Sequence, residues 1–271
     1  MIQSDPHTSA LRAGAPTQFH ALAIIAAVLA ALCLAWAGVE VRRLDGVPVW
    51  LKPLKFSLSF VVFFGTLALI EPRLSAQVRD GRPVRVLGWI AAASFLSEMA
   101  YLFYQAGRAE ASHFNLSTPF HQLMYTAMGV GAVALVGVAA AFGWIVRTDT
   151  GARLAPALRE AIWLGGLSTF GLTLIVAGYM SSGPGHFVGV HPAGAPTLPL
   201  FGWSGVTGDL RPAHFASIHA MQALPLLALW LGRGGRMASI ATLRLATLGY
   251  AAVTLALFAQ ALLGLPLVRL G

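Results

Sequence analysis

The sequence predicts an all-α fold, a polytopic transmembrane bundle of about seven helices, and three observations carry that expectation. The first is composition: of 271 residues, 57% are hydrophobic and 10% charged, and the mean hydropathy is +0.72, well outside the balance of a water-soluble domain. The second is the length of the uncharged runs, which repeatedly reach the roughly 20 apolar residues a helix needs to cross a bilayer. The third is their continuity, because a transmembrane barrel would show short alternating segments rather than unbroken Leu, Ala and Val.

Seven spans follow in order. The first, 19–39, contains the run "AIIAAVLAALCLAWAGV". A competing reading ends a signal peptide at Ala35-Trp36-Ala37, the small-x-small pattern a signal peptidase reads. The run is long for a signal peptide, and cleavage of residues 1–37 would leave six helices in the same orientation. The second span, 53–71, opens with Pro53, a residue suited to a first helical turn. The third, 86–107, carries Glu98, Tyr101 and Gln105 at i, i+3 and i+7, one face of a helix. The fourth, 117–146, begins where Ser117 or Thr118 caps a helix with Pro119 in its first turn. The fifth is 157–181. The sixth, 211–231, lies in "GDLRPAHFASIHAMQALPLLALWL", and the seventh is 240–268. Trp50, Trp89, Trp163 and Trp203 fall near the expected membrane interfaces. Residues 182–210 form one long external loop, Gly- and Pro-rich yet anchored by Phe187, Leu200, Phe201 and Trp203. Long loops with apolar anchors often cover something, so it is a candidate lid; the other reading is a connector resting on headgroups.

Arginine placement orients the bundle. With loops assigned alternately, the N-terminal side collects Arg12, Arg73, Arg79, Arg82, Arg85, Arg147, Arg153, Arg159, Arg233, Arg236 and Arg244, and the other side Arg42, Arg43, Lys52, Lys55, Arg108, Arg211 and Arg269. The positive-inside tendency then puts the N-terminus in the cytoplasm and the C-terminus outside. The net charge of +8 reflects topology, not a basic surface for nucleic acid. The single cysteine, Cys33, excludes an internal disulfide, a C-x-x-C-H haem attachment and a four-cysteine iron–sulfur site. The sequence has no glycine-rich phosphate loop, no G-x-S-x-G and no HExxH.

Polar residues concentrate in the external half. Counted inward at 1.5 Å per residue, His121 and His214 lie about 5–6 Å down the fourth and sixth helices, and His219 and Glu98 about 12–13 Å down the sixth and third. His113 and Asn115 sit on the loop before the fourth helix. Lys52 and Lys55, the only lysines, share a face at the start of the second helix, where dipole and topology both disfavour cations; an anionic partner would resolve the conflict. Charges inside a span usually face the bundle interior or water, so these groups, with Asp209 and Arg211, predict a polar pocket open to the outside.

The blocks "WLKPLKF", "SHFNLSTPFH" and "GDLRPAHFASIHAMQALPLL" resemble those of a family of bacterial seven-helix integral membrane proteins. That resemblance covers about a quarter of the chain and implies the fold and a bacterial inner membrane. Ser97, Glu98, Asp209, His214 and His219 are more loosely similar to the zinc-holding residue types of alkaline ceramidase and adiponectin-receptor membrane hydrolases, although H-x-x-x-x-H stands here where that group has H-x-x-x-H.

Three chemistries fit these residues. In the first, His121 opposes His214 or His219 across a haem b or a redox metal, with Lys52, Lys55 or Arg211 on its propionates and His113 and Asn115 lining the site. In the second, His121, His214, His219 and Glu98 hold zinc, whose water attacks a lipid-like substrate while a second carboxylate, Asp209, takes the proton. In the third, without a metal, Lys52, Lys55 and Arg211 bind or transport a small anion or lipid.

Overall fold

A computed structural model of the chain describes residues 17–233 and 239–270. Arg12 and Arg236, used above for orientation, lie outside the described residues, as does the part of the proposed leader before Thr17. Among the described residues, seven helices are long and apolar enough to cross a membrane: α1 (Gln18–Ala37), α2 (Leu51–Ile70), α4 (Arg82–Gly107), α5 (Pro119–Thr148), α6 (Pro156–Ser182), α7 (Arg211–Leu231) and α8 (Ile240–Leu262). A 3-10 turn (Glu71–Arg73) and the short α3 (Ala76–Arg79) join α2 to α4. Two two-stranded ribbons complete the elements: β1 (Arg43–Leu44) with β2 (Val47–Pro48), and β3 (Phe187–Val188) with β4 (Gly208–Asp209). The chain is a multi-pass membrane protein. Large apolar side chains such as Ile24, Leu69, Leu226, Leu245 and Leu248 face outward, and contiguous apolar surface on that scale requires lipid as its solvent.

The chain divides into two compact units. Unit one comprises Met1–Gly131 and Asp149–Arg153, and unit two Ala132–Thr148 and Leu154–Gly271, so the division falls within α5. In unit one, α1 buries Phe19, Leu22, Ala26, Ala30 and Cys33 at intervals of three or four, and α2 answers with Leu54, Ser57, Phe60, Phe64 and Leu67. Such stripes let two helices lie nearly parallel along their length. Their connection is a tight hairpin in which Asp45 and Gly46 both take positive φ (49° and 77°), the geometry of a type I′ turn that Asp-Gly favours. Helix α4 joins them through Phe95, whose ring lies 4.7 Å from Phe60 and 5.1 Å from Phe64. The 149–153 segment is pinned to the turn after α2, where Ser75 N–H donates to Asp149 Oδ2 (2.7 Å) and Arg153 N–H to Arg73 O (2.7 Å).

In unit two, α6 meets both neighbours backbone to backbone. A Cβ at Gly166 would overlap Ala139 O of α5, and one at Gly165 would lie 3.0 Å from Ala220 O and Met221 Cα of α7. Small residues permit this approach where no hydrophobic drive exists between helices. Pro225 removes the helical donor to Met221 O, and in the same turn Thr169 of α6 is tied to α7, accepting from Met221 N–H at 2.9 Å. At the end where α6 and α8 begin, buried Glu160 accepts from Arg244 (2.8 and 2.9 Å) and lies 3.4 Å from Arg147. Arg159 donates to the last carbonyls of α5, Val146 and Arg147.

The expected spans match within a few residues, apart from the last. The seventh helix stops at Leu262, not 268. Gly264 at φ +74° carries a Schellman motif, with Leu265 N–H on Gln260 O and Gly264 N–H on Ala261 O, and Pro266 then forbids continuation.

Gly166→Ala is expected to lower the thermal midpoint in detergent, by the roughly 1–3 kcal/mol typical of overpacking. Gly171→Ala in the same helix, where an added Cβ meets nothing, should leave the midpoint level or raise it.

Candidate functional site

The expected site residues fall into two groups. Lys52, Lys55, Glu98, His113, Asn115 and His121 belong to unit one, and Asp209, Arg211, His214 and His219 to unit two.

In unit one, α4 presents a polar stripe within an apolar face: Glu98, Tyr101 and Gln105 are 6%, 4% and 0% exposed, interleaved with buried Met99, Leu102 and Ala106. Glu98 interacts electrostatically with Lys52 in the first turn of α2; Lys55, one turn on, is exposed. Gln105 Nε2 donates to Ala111 O at 2.8 Å. Its Oε1 and the Tyr101 hydroxyl have no hydrogen-bond partner among the described residues. A buried polar atom left unpaired costs on the order of 1–3 kcal/mol, so this face carries unspent hydrogen-bonding capacity.

The loop from 108 to 118 closes that end of unit one. Asn115 Oδ1 accepts from Ser117 N–H (3.2 Å) and Ser117 O–H (2.7 Å), while its amide donates to Ala111 O (3.0 Å). Thr118 is the α5 cap, accepting from His121 N–H at 3.2 Å. Since Ser117 spends its proton on Asn115, Thr118 is the hydroxyl that donates to His121 Nδ1, at 2.8 Å; Nε2–H then faces Glu110 Oε2 at 3.6 Å. Glu110 is also held by Arg108 at 2.8 Å, and the hydrogen bond from that guanidinium keeps its carboxyl below the usual range. His121 Nδ1 is thus engaged within the loop, while Nε2 stands within ion-pair range of Glu110 without a hydrogen bond to it. His113 packs between Phe56 (5.4 Å) and Tyr125 (6.3 Å), with Ser112 Oγ 3.1 Å from Nδ1. Asn115 and His113 both take part in ordering this loop.

At the opposite end of α2, Glu71 is also buried. It takes a hydrogen bond from Thr17 and the electrostatic influence of His20, whose Nδ1 is 2.8 Å from the same hydroxyl. One of its oxygens has no partner among the described residues.

In unit two, Asp209 is buried at the foot of the long loop and is a structural hub. It accepts from Ser204 N–H (2.9 Å), Arg211 N–H (3.0 Å) and the Arg211 guanidinium (2.6–3.1 Å). The guanidinium also donates to Gly202 O (2.8 Å) and lies over the Phe187 ring. Ser204 Oγ in turn accepts from Val206 and Thr207 N–H and meets His191 Nδ1 at 3.1 Å. Asp209 and Arg211, sought as general base and anion binder, are committed to each other and to the loop backbone. Deeper on α7, His219 Nδ1 lies 3.3 Å from Gln222 Oε1, and the His214 Nδ1 is buried without a partner among the described residues. No group of three or more His, Cys, Asp or Glu arranged to hold a metal ion occurs among the described residues, so neither unit alone offers the three protein ligands of a catalytic zinc.

Sequence reasoning passed over Glu110, Ser204 and Glu160. Glu110 had a signal, its place two residues after Arg108 and before the His121 cap. Glu160 had another, an acid among arginines gathered at one membrane side.

Asp209→Asn is expected to loosen the 183–208 segment, because removing one partner of a buried ion pair costs up to about 3–5 kcal/mol. Limited chymotrypsin digestion should then cut at Phe201 and Trp203 several-fold faster than in the wild type. Comparison of the chain with protein-family models, with curated proteins and with solved structures found no match.

Proposed function

We propose that the protein is a multi-pass protein of the bacterial cytoplasmic membrane, N-terminus inside, that binds or moves a small anion-bearing polar ligand within unit one. The observation that carries this reading is the α4 stripe: Glu98 facing Lys52, with the Tyr101 hydroxyl and Gln105 Oε1 buried and unpaired on the same helix face. A cation and an acid inside a span are costly, and such groups characteristically mark substrate or ion pathways. Lys52 supplies the charge for an anion, Tyr101 a hydroxyl that either donates or accepts, and Gln105 an acceptor for a ligand donor. This is binding chemistry.

The test uses inorganic phosphate and acetate as probes on purified protein, with chloride at equal ionic strength as the reference. A ligand at a hundred times its Kd stabilises by about 2.7 kcal/mol, several degrees in thermal midpoint for a chain of this size. The expected result is such a shift with at least one probe, abolished by Lys52→Gln and reduced by Tyr101→Phe. Midpoints that move with neither probe, or that move equally in Lys52→Gln, overturn the reading.

A second reading is favoured by Gln222. Metal-ligating histidines take their orientation from a hydrogen bond that the other ring nitrogen donates, and Gln222 Oε1 is placed to accept one from His219 Nδ1–H, leaving Nε2 for haem b or a transition metal. An absorption spectrum with elemental analysis separates the two. A Soret band or stoichiometric metal that disappears in His219→Ala establishes the second reading, and colourless, metal-free folded protein removes it.

A further inference from the structure

The long loop of unit two is ordered around a tight hairpin, and its tip is apolar. Thr197 and Ser204 form a bridge, Leu198 N–H donates to Trp203 O (2.7 Å), and Gly202 N–H to Leu198 O (2.8 Å). The turn so closed presents Pro199, Leu200 and Phe201. Leu200 is 84% exposed and holds φ at +68°, a conformation that leucine rarely adopts. The backbone strain and the exposure fall on the same apolar residue.

The position of this tip is fixed by aromatic stacking. Phe201 stacks on Trp203 at 4.4 Å, and both rings lie 5.8 Å from Phe215. Phe215 is the fifth residue of α7, about 6 Å along the helix from its start, and is itself 43% exposed. The hairpin therefore folds back alongside the first turns of a membrane-spanning helix instead of rising away from it. From Ala161 to Gly208 there is no Asp, Glu, Lys or Arg, so nothing in the segment requires bulk water. The backbone groups of the turn are largely paired with one another, as an apolar surrounding demands. Tryptophan and phenylalanine at this level are the side chains that favour the boundary between headgroups and acyl chains.

We propose that the 197–204 hairpin inserts into the adjacent lipid leaflet, with Leu200, Phe201 and Trp203 in the headgroup and acyl boundary, and that its partner is the bilayer itself. The hairpin carries no cation, so insertion is driven by apolar burial and does not select anionic lipid.

The test is Leu200→Cys carrying a nitroxide spin label, in the full-length protein reconstituted into phosphatidylcholine vesicles and, separately, into vesicles with added phosphatidylglycerol. Wild-type protein, whose lone Cys33 is buried, measures background labelling. The label is expected to be more accessible to oxygen than to a water-soluble nickel chelate, equally in both vesicle types. A label more accessible to the nickel chelate places the tip in water and overturns the proposal. A label that enters the leaflet only with phosphatidylglycerol overturns the claim that apolar burial drives insertion.

Discussion

Hydrocarbon solvates neither a peptide group nor a charge, and the rest of this structure depends on that constraint. It forces the backbone into helices and turns the packing rule inside out: leucine, valine and isoleucine are placed facing outward, while small residues and polar side chains gather where helices meet. In unit two the closest contacts run through Gly165 and Gly166, and the turn that Pro225 deprives of a donor is tied to α6 through Thr169. The charge at the end of α6 is tolerated because Glu160 is answered from α8 by Arg244 and from α5 by Arg147. Each feature is a polar or steric demand met inside the protein because the solvent cannot meet it.

The same constraint gives meaning to the exceptions. Water would satisfy a stray hydroxyl on a surface helix at no cost; a hydroxyl and an amide oxygen left unpaired beside a Lys–Glu pair within a span are retained against a standing penalty. Gln105 spends its amide on Ala111 O, but its Oε1 and the Tyr101 hydroxyl serve no contact among the described residues, and Phe95, Met99 and Leu102 show that the same helix accepts apolar side chains. Glu71 at the far end of α2 is a related case, hydrogen-bonded by Thr17 and influenced by His20, with one oxygen that has no hydrogen-bond partner among the described residues. Between these two ends lies the Phe60, Phe64 and Phe95 cluster. Unit one thus has two polar ends and a dry middle.

The helices were legible in the sequence because their signal is additive: twenty apolar residues in a row outweigh any local ambiguity. The Thr118 cap was legible for the opposite reason, being a contact three residues long. The end of α8 was written in Gly264, Leu265 and Pro266 but was masked by the apolar residues around them, which extend a hydropathy window past the point where the backbone turns. The role of Asp209 could not be read at all. It depends on Ser204 and Gly202 bringing backbone groups to it across a loop whose shape no periodicity encodes. Depth counting placed His121 correctly in the first turns of α5, yet its chemistry is set by Glu110 and Thr118, which depth does not rank. The proposed convergence on one pocket assumed that polar residues at equal depth face one another, and equal depth fixes only one of three coordinates.

Saturation separates architecture from function here better than residue type or depth does. In the polar cluster of Asp209 with Arg211 the carboxylate is saturated: it receives backbone and guanidinium donors on both oxygens, and Arg211 Nη2 donates to Gly202 O as well. A saturated carboxylate has little left to offer a ligand, and the pair holds the long loop against the start of α7, where the aromatic hairpin then reaches Phe215. The α4 stripe has fewer charges and is open. An open polar group in hydrocarbon carries a standing cost that a ligand's hydrogen bond would offset, which is why the proposed binding site is set on the α4 stripe and not on the saturated carboxylate of Asp209.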